Sequence, residues 1–369
     1  MKIALLTYST KPRGGVVHTL ALAEALAAAG QDVTVWTLGR GGDGGSFRPV
    51  DAAVRLAVVP FPEGGPAESV GGRVLRSIAV LRDAFTPDAY DIVHAQDCIS
   101  ANAADRCLRT VHHLDHFTTP ELIGCHERAI TRPFAIICVS RAVAAEVATG
   151  WGITATVIPN GVDAERFAAA AGPGLAACAA RSRWRDRLGR YILAVGGIEP
   201  RKGSLDLLEA YALLRREILD VRLVIAGGET LFDYRDYRAA WEARAATLFG
   251  RTPDAAPAVL GPVAHDELPS LMAAAATFCF PSVREGFGLA ALEALAAGVP
   301  VVARSLPVLR EVLGTAARFA SEPGGFAEAL REALDFPGEL GTAGRALAAR
   351  YTWGAAAAAH IAAYERLAS

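Results

Sequence analysis

The chain contains 369 residues, which is more than one hydrophobic core usually serves, so two domains of roughly 150 to 200 residues are expected. Hydrophobic residues make up 52% of the sequence and charged residues 21%, a composition that is typical of globular proteins and argues against extensive disorder. The net charge of −2, from 37 basic and 39 acidic side chains, excludes a global field that would attract nucleic acid or anionic lipid.

Two local segments are nonetheless basic, Gly72 to Arg82 and Arg181 to Arg190. A solvated helix face is the more frequent explanation of such a segment. Contact with a membrane surface or with an anionic acceptor is the alternative, and the sequence leaves it open.

Cysteine usage and hydropathy favour a cytoplasmic protein. The cysteines show neither a C-x-x-C pair nor the spacing of zinc ligands, so reduced and mostly buried thiols are expected. The apolar run after Met1 is too short for a signal peptide, and no apolar segment elsewhere is long enough to span a bilayer. Peripheral contact with the inner membrane surface stays open.

The first half of the chain alternates strands and helices. Lys2 to Tyr8 predicts a buried strand, a polar and glycine-rich loop follows, and Val17 to Ala29 has the periodicity of a helix. Gly30 caps this helix and Asp32 to Thr37 is the next strand, which completes a βαβ unit of a parallel sheet. Further strands are predicted at Val54 to Pro60, Asp91 to His94, Leu108 to His112, Ala135 to Val139 and Thr156 to Ile158. The first domain is therefore expected over residues 1–165.

The same alternation restarts in the second half, after a predicted linker and lead-in helix at residues 168–190. Tyr191 begins a strand that ends in glycines, Leu205 to Arg216 is an amphipathic helix, and Val221 begins another strand that ends in glycines. Later strands are predicted at Ala258 to Leu260, Phe278 to Pro281 and Pro300 to Ala303, with a helix from Gly288 to Ala297. The second domain is expected over residues 166–352. Because ligands bind at the carboxyl ends of parallel strands, a cleft between the two domains is the expected active site.

Two glutamates flank the start of the helix predicted at Gly288. Glu285 lies in the preceding loop, and Glu293 lies one to two turns into the helix. Between them, Gly286 and Phe287 leave backbone N–H groups accessible at a helix N-terminus, where unsatisfied donors and the helix dipole favour an anion such as phosphate. On its own, such a pair of glutamates is more often a helix charge and a surface residue.

Two adjacent cations follow the strand that ends at Gly196 and Gly197. Lys202 could neutralise a diphosphate and stabilise the charge that grows on it when a glycosidic bond breaks, and Arg201 lies beside it. A solvated loop cation is the alternative for each of them.

The longest motif is Phe280-Pro-Ser-Val-Arg-Glu-Gly-Phe-Gly-Leu-Ala-Ala-Leu-Glu-Ala-Leu-Ala-Ala-Gly-Val-Pro-Val-Val302. This segment resembles the donor-site signature of glycosyltransferase family 4, whose members are retaining enzymes of the GT-B fold that use nucleotide diphosphate sugars. The resemblance implies two Rossmann-like doubly wound domains that face each other across a cleft, and a crossover helix at residues 353–369 that returns to the first domain. It also implies that Glu285 faces the donor sugar, that Glu293 binds the ribose hydroxyls, and that sugar or diphosphate contacts the amides of Gly286, Phe287, Gly288 and Leu289.

Shorter segments match the family in the expected order. They are Gly14-Gly15 with the following helix and strand, Asp91-Ile-Val-His94, Val139-Ser140, Val157-Ile-Pro-Asn-Gly-Val-Asp163 and Tyr351-Thr-Trp353. Because Gly14 and Gly15 lack the G-x-G-x-x-G spacing, NAD binding is poorly supported, and the likeness favours a phosphate or acceptor loop instead. By the same likeness Lys202 and Arg201 are catalytic. The family usually has an arginine at the position of Gly197, so either Arg201 replaces it or Lys202 acts with less help.

The resemblance makes His112 the counterpart of a catalytic-site histidine beside the donor sugar, with His113 as the alternative because the doubled histidine blurs the alignment. His112, Asp115 and His116 also suggest a metal site, but the family needs no metal or other cofactor for its chemistry, so none is predicted. The remaining histidines are more often structural or solvated, although one of them, His94, could line the cleft.

The expected activity is the transfer of a hexosyl group from a nucleotide diphosphate sugar to the hydroxyl of an unknown acceptor, which could be a small molecule, a lipid-linked compound or a polysaccharide. A nucleotide-sugar epimerase of the same fold and a catalytically silent nucleotide-sugar-binding protein are the alternatives. The sequence lacks the G-x-S-x-G motif of serine hydrolases.

Overall fold

Two parallel β-sheets organise the chain, each in its own compact unit. Unit 1 comprises Met1–Gly161 and Tyr351–Ser369, and unit 2 comprises Val162–Arg350. The structure is a computed structural model that describes residues 1–42, 44–65, 68–114, 117, 119–228, 234–338 and 340–368.

Unit 1 contains a seven-stranded sheet with the strand order β3-β2-β1-β4-β5-β6-β7. Its strands are β1 (Lys2–Leu6), β2 (Asp32–Arg40), β3 (Val54–Phe61), β4 (Ile92–Ala95), β5 (Leu108–Val111), β6 (Ala135–Cys138) and β7 (Thr156–Val157). Its helices are α1 (Gly14–Ala28), α2 (Val70–Ala84), α3 (Cys98–Ala103), α4 (Pro120–Thr131) and α5 (Arg141–Trp151), together with the C-terminal helix α15 (Trp353–Ala368).

The sheet of unit 1 is buried on both faces. Strand β1 pairs in parallel with both β2 and β4, so that Leu5 lies beside Val35 on one side and His94 on the other. Alternate residues of β1 enter different apolar layers: Leu5 joins Leu20 of α1, whereas Leu6 joins Leu81 of α2. Helix α15 packs on α1 and completes the first of these layers.

Unit 2 contains a six-stranded sheet with the strand order β10-β9-β8-β11-β12-β13. Its strands are β8 (Arg190–Val195), β9 (Val221–Ala226), β10 (Ala258–Gly261), β11 (Thr277–Phe280), β12 (Val301–Arg304) and β13 (Arg318–Ala320). Its helices are α6 (Ala164–Ala171), α7 (Leu175–Leu188), α8 (Ser204–Leu214), α9 (Arg235–Phe249), α10 (Leu268–Ala274), α11 (Leu289–Ala296), α12 (Pro307–Leu313), α13 (Pro323–Asp335) and α14 (Gly341–Ala348).

Both sheets are wholly parallel, and both have the doubly wound order that the alternation of strands and helices predicts. The α/β class and the doubly wound arrangement are therefore confirmed. Within the described part of the chain, no helix combines the length and the apolar character needed to cross a bilayer.

Two local predictions are wrong, and one strand was not predicted. Within residues 168–190 the predicted lead-in helix is present as α7, but the predicted linker is shortened, because α6 continues to Ala171 and packs, like α7, against α10. Strand β13 has only three residues, two of them partly exposed, and its pattern was too weak to predict. Gly14 and Gly15 form the first turn of α1 instead of a loop before it.

Candidate active site

The carboxyl ends of β8 and β11 bring Lys202, Arg201 and Glu285 together. Lys202 and Arg201 lie in a short 3₁₀ turn, Pro200–Lys202, which follows β8. The Lys202 Nζ donates to Oε1 of Glu285 at 2.6 Å, and Nη1 of Arg201 donates to the same oxygen at 3.2 Å. One carboxylate thus faces two cations, and the Glu285 side chain is only 12% exposed.

The surroundings of Lys202 are largely apolar. Its ammonium lies 5.2 Å from the centre of the Phe280 ring. Burial lowers the pKa of Lys202 below its usual value, and the charge of Glu285 opposes this effect. An incompletely hydrated ammonium that already binds a carboxylate is well suited to bind a phosphate oxygen.

Glycines at the strand ends make room for this arrangement. Gly196 has a φ of +142°, and a Cβ there would lie 3.1 Å from Cδ and Cε of Lys202. At Gly197 a Cβ would lie 2.6 Å from the carbonyl oxygen of Gly228, in the loop after β9. Any side chain at position 197 therefore requires a backbone shift, so glycine fits this position in this chain.

Glu199 and Ser282 are site residues that the sequence analysis did not identify. Glu199 is buried, and its Oε1 lies 3.5 Å from Nη2 of Arg201, so Arg201 contacts two carboxylates. Ser282 is fully buried, its Oγ has no hydrogen-bond partner among the described residues, and it lines a small pocket beside Lys202. The sequence signal that could have identified Glu199 is its position two residues before Arg201.

The segment from Gly286 to Leu289 forms the N-terminus of α11. Gly288 caps the helix with a left-handed φ of +94°, and a Cβ there would lie 2.8 Å from Leu309. Gly286 and Phe287 are buried before it, and Leu289 begins the helix. The amide of Ala291 donates to the carbonyl oxygen of Gly288 at 3.0 Å, so only the amides before it, at Leu289 and Ala290, lack an acceptor within the helix.

Glu293 lies in the second turn of α11 and is half-buried. Burial raises the pKa of Glu293 to about 7, while Arg166 of α6 acts in the opposite direction and Asp163 adds to the increase. Arg166 and Asp163 were not predicted to be near this carboxylate. They approach it because α6, part of which was predicted to be a linker, packs against α11.

In unit 1 the predicted residues His112 and Gly15 also come close together. A Cβ at Gly15 would lie 3.5 Å from Cδ2 of His112, whereas a Cβ at Gly14 would meet no atom within 4 Å. His113 is half-buried beside His112. Burial is the main cause that lowers the pKa of His112 to about 3, so its imidazole is neutral at physiological pH.

Three more histidines form a buried cluster with His112. Its ring packs edge-on against His18 at a centroid distance of 4.6 Å, and His18 lies 6.3 Å from His360. His94 binds the hydroxyl of Tyr364 at 2.8 Å and that of Thr110 at 2.7 Å. His18, His94 and His360 are all buried, and a structural role stays the prediction for them.

No group of histidine, cysteine, aspartate or glutamate side chains suited to a metal ion occurs among the residues that the structure describes. Asp115 and His116, the other members of the metal site suggested by the sequence, lie outside those residues.

Comparison with known proteins places this site in a family. Residues 12–166 match the family model described as "Glycosyltransferase Family 4", and residues 189–335 match the model described as "Glycosyl transferases group 1". The chain belongs to glycosyltransferase family 4. The resemblance predicted from the sequence is therefore confirmed.

Two relatives of this glycosyltransferase are mannosyltransferases. The phosphatidyl-myo-inositol mannosyltransferase of Mycobacterium leprae is 29% identical over 100% of this chain and 98% of its own length. The O-antigen chain mannosyltransferase B of Escherichia coli is 41% identical over 34% of this chain and 31% of its own length.

Solved structures confirm the GT-B fold. Sucrose-phosphate synthase from Thermosynechococcus elongatus has a TM-score of 0.79 at 20% identity, with 99% of this chain and 98% of that chain covered. The Anabaena protein HepE, in complex with UDP and glucose, has a TM-score of 0.75 at 18% identity, with 99% and 100% covered.

Proposed function

We propose that this glycosyltransferase moves a hexosyl group from a nucleotide diphosphate sugar to an acceptor hydroxyl with retention of configuration. The observation that carries the proposal is the cluster of Lys202, Arg201 and Glu285 at the carboxyl ends of β8 and β11. It offers cations for a diphosphate and a carboxylate for sugar hydroxyls within one small region.

The names of similar proteins support the choice of donor. The relatives from Mycobacterium leprae and Escherichia coli are named mannosyltransferases, which favours a hexosyl group. HepE was solved with UDP-glucose, which favours a nucleotide-activated sugar.

In the proposed complex, Lys202 and Arg201 contact the diphosphate, and Glu285 accepts hydrogen bonds from the sugar. The amides at Gly286, Phe287, Gly288 and Leu289 add donors, and Gly196 and Gly197 let the backbone approach the ligand. Glu293 accepts hydrogen bonds from the ribose hydroxyls, and it does so best in its carboxylate form. Gly14 and Gly15 keep their proposed role in acceptor or phosphate binding, now as the first turn of α1.

The proposed reaction breaks the bond between the anomeric carbon and the β-phosphate oxygen and forms a bond from the acceptor oxygen to the same face of that carbon. The departing phosphate accepts the acceptor's proton. His112 suits this scheme, because a pKa of about 3 makes it a poor general base and leaves a neutral ring for hydrogen bonding. Charge stabilisation by Lys202 and Arg201 then supplies much of the catalysis, and we propose that no metal or other cofactor is needed.

A catalytically silent binding protein was the main alternative, and its best support was the missing arginine at position 197. Glycine there is explained by the approach of Gly228, and Arg201 supplies a guanidinium 3.2 Å from Glu285. These two observations support an active enzyme over a silent protein.

We further propose that the enzyme acts in the cytoplasm and meets its acceptor there or at the inner membrane surface. The Mycobacterium leprae relative is named for phosphatidyl-myo-inositol, which favours an acceptor that is bound to a membrane. No nucleic acid partner is proposed.

Calorimetric titration with UDP, GDP and ADP, followed by NMR of each matching nucleotide sugar incubated with the enzyme, tests the proposal. We expect one nucleotide to bind and its sugar to be released or transferred with the anomeric configuration of the donor. Tight binding without sugar release would favour the silent protein, and conversion of the sugar while it stays attached to the nucleotide would favour an epimerase. Release with inverted configuration would contradict retention.

A further inference from the structure

A cluster of arginines lies at the carboxyl ends of β2 and β3 in unit 1, apart from the residues assigned above. Arg40 is the last residue of β2 and pairs with Phe61, the last residue of β3. The guanidinium carbons of Arg40 and Arg76 lie 4.8 and 4.0 Å from the centre of the Phe61 ring. Arg73, one turn before Arg76 on α2, adds a third positive charge that acts on Arg40.

The guanidinium of Arg40 is held in place by neutral groups. Its Nε donates to the carbonyl oxygen of Tyr8 at 3.1 Å, and its Nη2 donates to Oγ of Ser77 at 2.9 Å. Ser77 in turn donates to the carbonyl oxygen of Arg73. Two of the five N–H groups of Arg40 are thereby used, and the fork is fixed before any ligand binds.

Arg40 forms no ion pair with a carboxylate among the described residues, although the charges of Glu68 and Asp97 interact with it and Glu63 lies beside the next residue, Gly41. Glu68 is bound through both oxygens to Arg76, at 2.7 and 2.9 Å. Asp97 accepts the backbone N–H groups of Tyr8 at 2.9 Å and Ser100 at 2.8 Å. Burial lowers the pKa of Arg40, and the charge of Asp97 opposes this effect without forming an ion pair.

A partly buried cation that lacks a counter-ion is unfavourable unless an anion binds it. This cation lies at the carboxyl ends of parallel strands, where ligands of doubly wound sheets bind. The positive charges of Arg73 and Arg76 both act on Arg40, so an anion bound at Arg40 would be attracted by more than one guanidinium. The N–H groups of a fixed guanidinium can also donate two parallel hydrogen bonds to two oxygens of a carboxylate or a phosphate.

We propose that Arg40 is the centre of an acceptor subsite that binds an anionic group, with phosphate ester as the chemical class. The proposal rests on the glycosyltransferase activity proposed above and specifies its acceptor. A soluble phosphate ester and a phospholipid headgroup present the same group, and the experiment separates the two sources.

The test is calorimetric titration of the full-length protein with glycerol 3-phosphate, with glycerol, and with vesicles of phosphatidylglycerol or phosphatidylcholine. The variants are Arg40→Gln, Arg40→Lys and the control Arg82→Gln. Arg82 is an exposed residue of α2 whose replacement removes the same charge outside the cluster. Nucleotide binding is measured in each variant, as is unfolding by urea.

We expect glycerol 3-phosphate to bind and glycerol not to bind. Arg40→Gln should weaken this binding about tenfold or more, Arg40→Lys should weaken it less, and Arg82→Gln should leave it unchanged. Binding of phosphatidylglycerol vesicles alone, with the same dependence on Arg40, would support the subsite and identify its source as a lipid headgroup. If Arg40→Gln does not fold, the loss in Arg40→Lys relative to Arg82→Gln decides.

Equal affinity in the wild type and the Arg40 variants, or equal loss in Arg82→Gln, would overturn the subsite. These results would leave the proposed function intact if nucleotide binding and sugar release persist. Failure of the proposed function would instead appear in the wild type as the absence of sugar release from every donor.

Discussion

At the scale of single residues, the free protein already contains the charges that a donor would have to meet. Lys202 and Arg201 share one oxygen of Glu285, so in the proposed complex phosphate oxygens would replace a carboxylate around the same cations. Folding already removes water from Lys202, so ligand binding does not have to desolvate it again. A site arranged in this way needs little reorganisation when charge develops on the departing phosphate.

Replacing Lys202 by alanine should lower kcat/KM. The decrease should correspond to a loss of about 2 to 4 kcal/mol of transition-state stabilisation, the usual effect of losing one charge-stabilising donor. Steady-state kinetics with the donor identified by titration measures the effect. Lys202→Arg keeps the charge and should retain more activity. Turnover at the wild-type rate in Lys202→Ala would show that this cation does not act on the leaving group.

Glu293→Ala should raise the KM for the donor, because the ribose hydroxyls lose their carboxylate. Glu293→Gln keeps the shape of the side chain and one acceptor oxygen, so its KM should lie between those of the wild type and the alanine variant. Donor saturation curves for the three proteins check this order. An unchanged KM in Glu293→Ala would rule out the ribose contact.

The buried carboxyl of Glu293 should also make stability depend on pH. Its folded pKa of about 7 lies above the ordinary value of 4.5, so between these values the folded protein holds a proton that the unfolded chain has released. The free energy of unfolding should therefore fall as pH rises from 4.5 through 7, by at most about 3.4 kcal/mol, and should level off above the folded pKa. Urea unfolding at pH 5 and pH 8 should show this decrease in the wild type and a smaller one in Glu293→Gln, and equal decreases would contradict it.

At the scale of secondary structure, the glycines after β8 and β9 determine the shape of the site. Gly197→Ala should lower the free energy of unfolding by more than about 1 kcal/mol, because its Cβ would lie 2.6 Å from the carbonyl oxygen of Gly228. Gly324→Ala in α13 is the matched control, since a Cβ there meets no atom within 4 Å. Urea unfolding compares the two. Equal stability of Gly197→Ala and the wild type would show that position 197 tolerates a side chain, and the usual arginine could then be tested there.

The sequence predicted elements better than it predicted contacts between distant elements. Buried parallel strands are short continuous apolar runs, so β8 and β9 were found at nearly their observed positions. The cluster of His18, His94 and His360 could not be predicted, because those residues are far apart in the chain and only the packing of α1, α15 and the sheet brings them together. Lys202 and Glu285 could be predicted, because each follows a strand end and because the family motif includes Glu285.

At the scale of the whole molecule, a nearly neutral chain contains local charge of both signs. The net charge of −2 conceals the arginine cluster on unit 1 and the three-residue cluster on unit 2. Each cluster lies at the carboxyl ends of strands of its own sheet, one in each of the two units. The net charge of the whole chain therefore argues against a polyanion as partner. It does not argue against a small anionic ligand on either unit.

Nucleotide binding should stabilise unit 2 in particular. At a nucleotide concentration one hundred times Kd, the free energy of unfolding should rise by about 2.7 kcal/mol. Hydrogen exchange should slow at residues 196–203 and 285–296, where the proposed diphosphate contacts and the first turns of α11 lie, with smaller changes in β1, β2 and β3. Lys202→Ala at the same nucleotide concentration should lose most of this protection. Protection confined to unit 1 would place the nucleotide in the other sheet and would contradict the donor site proposed for Lys202, Glu285 and Glu293.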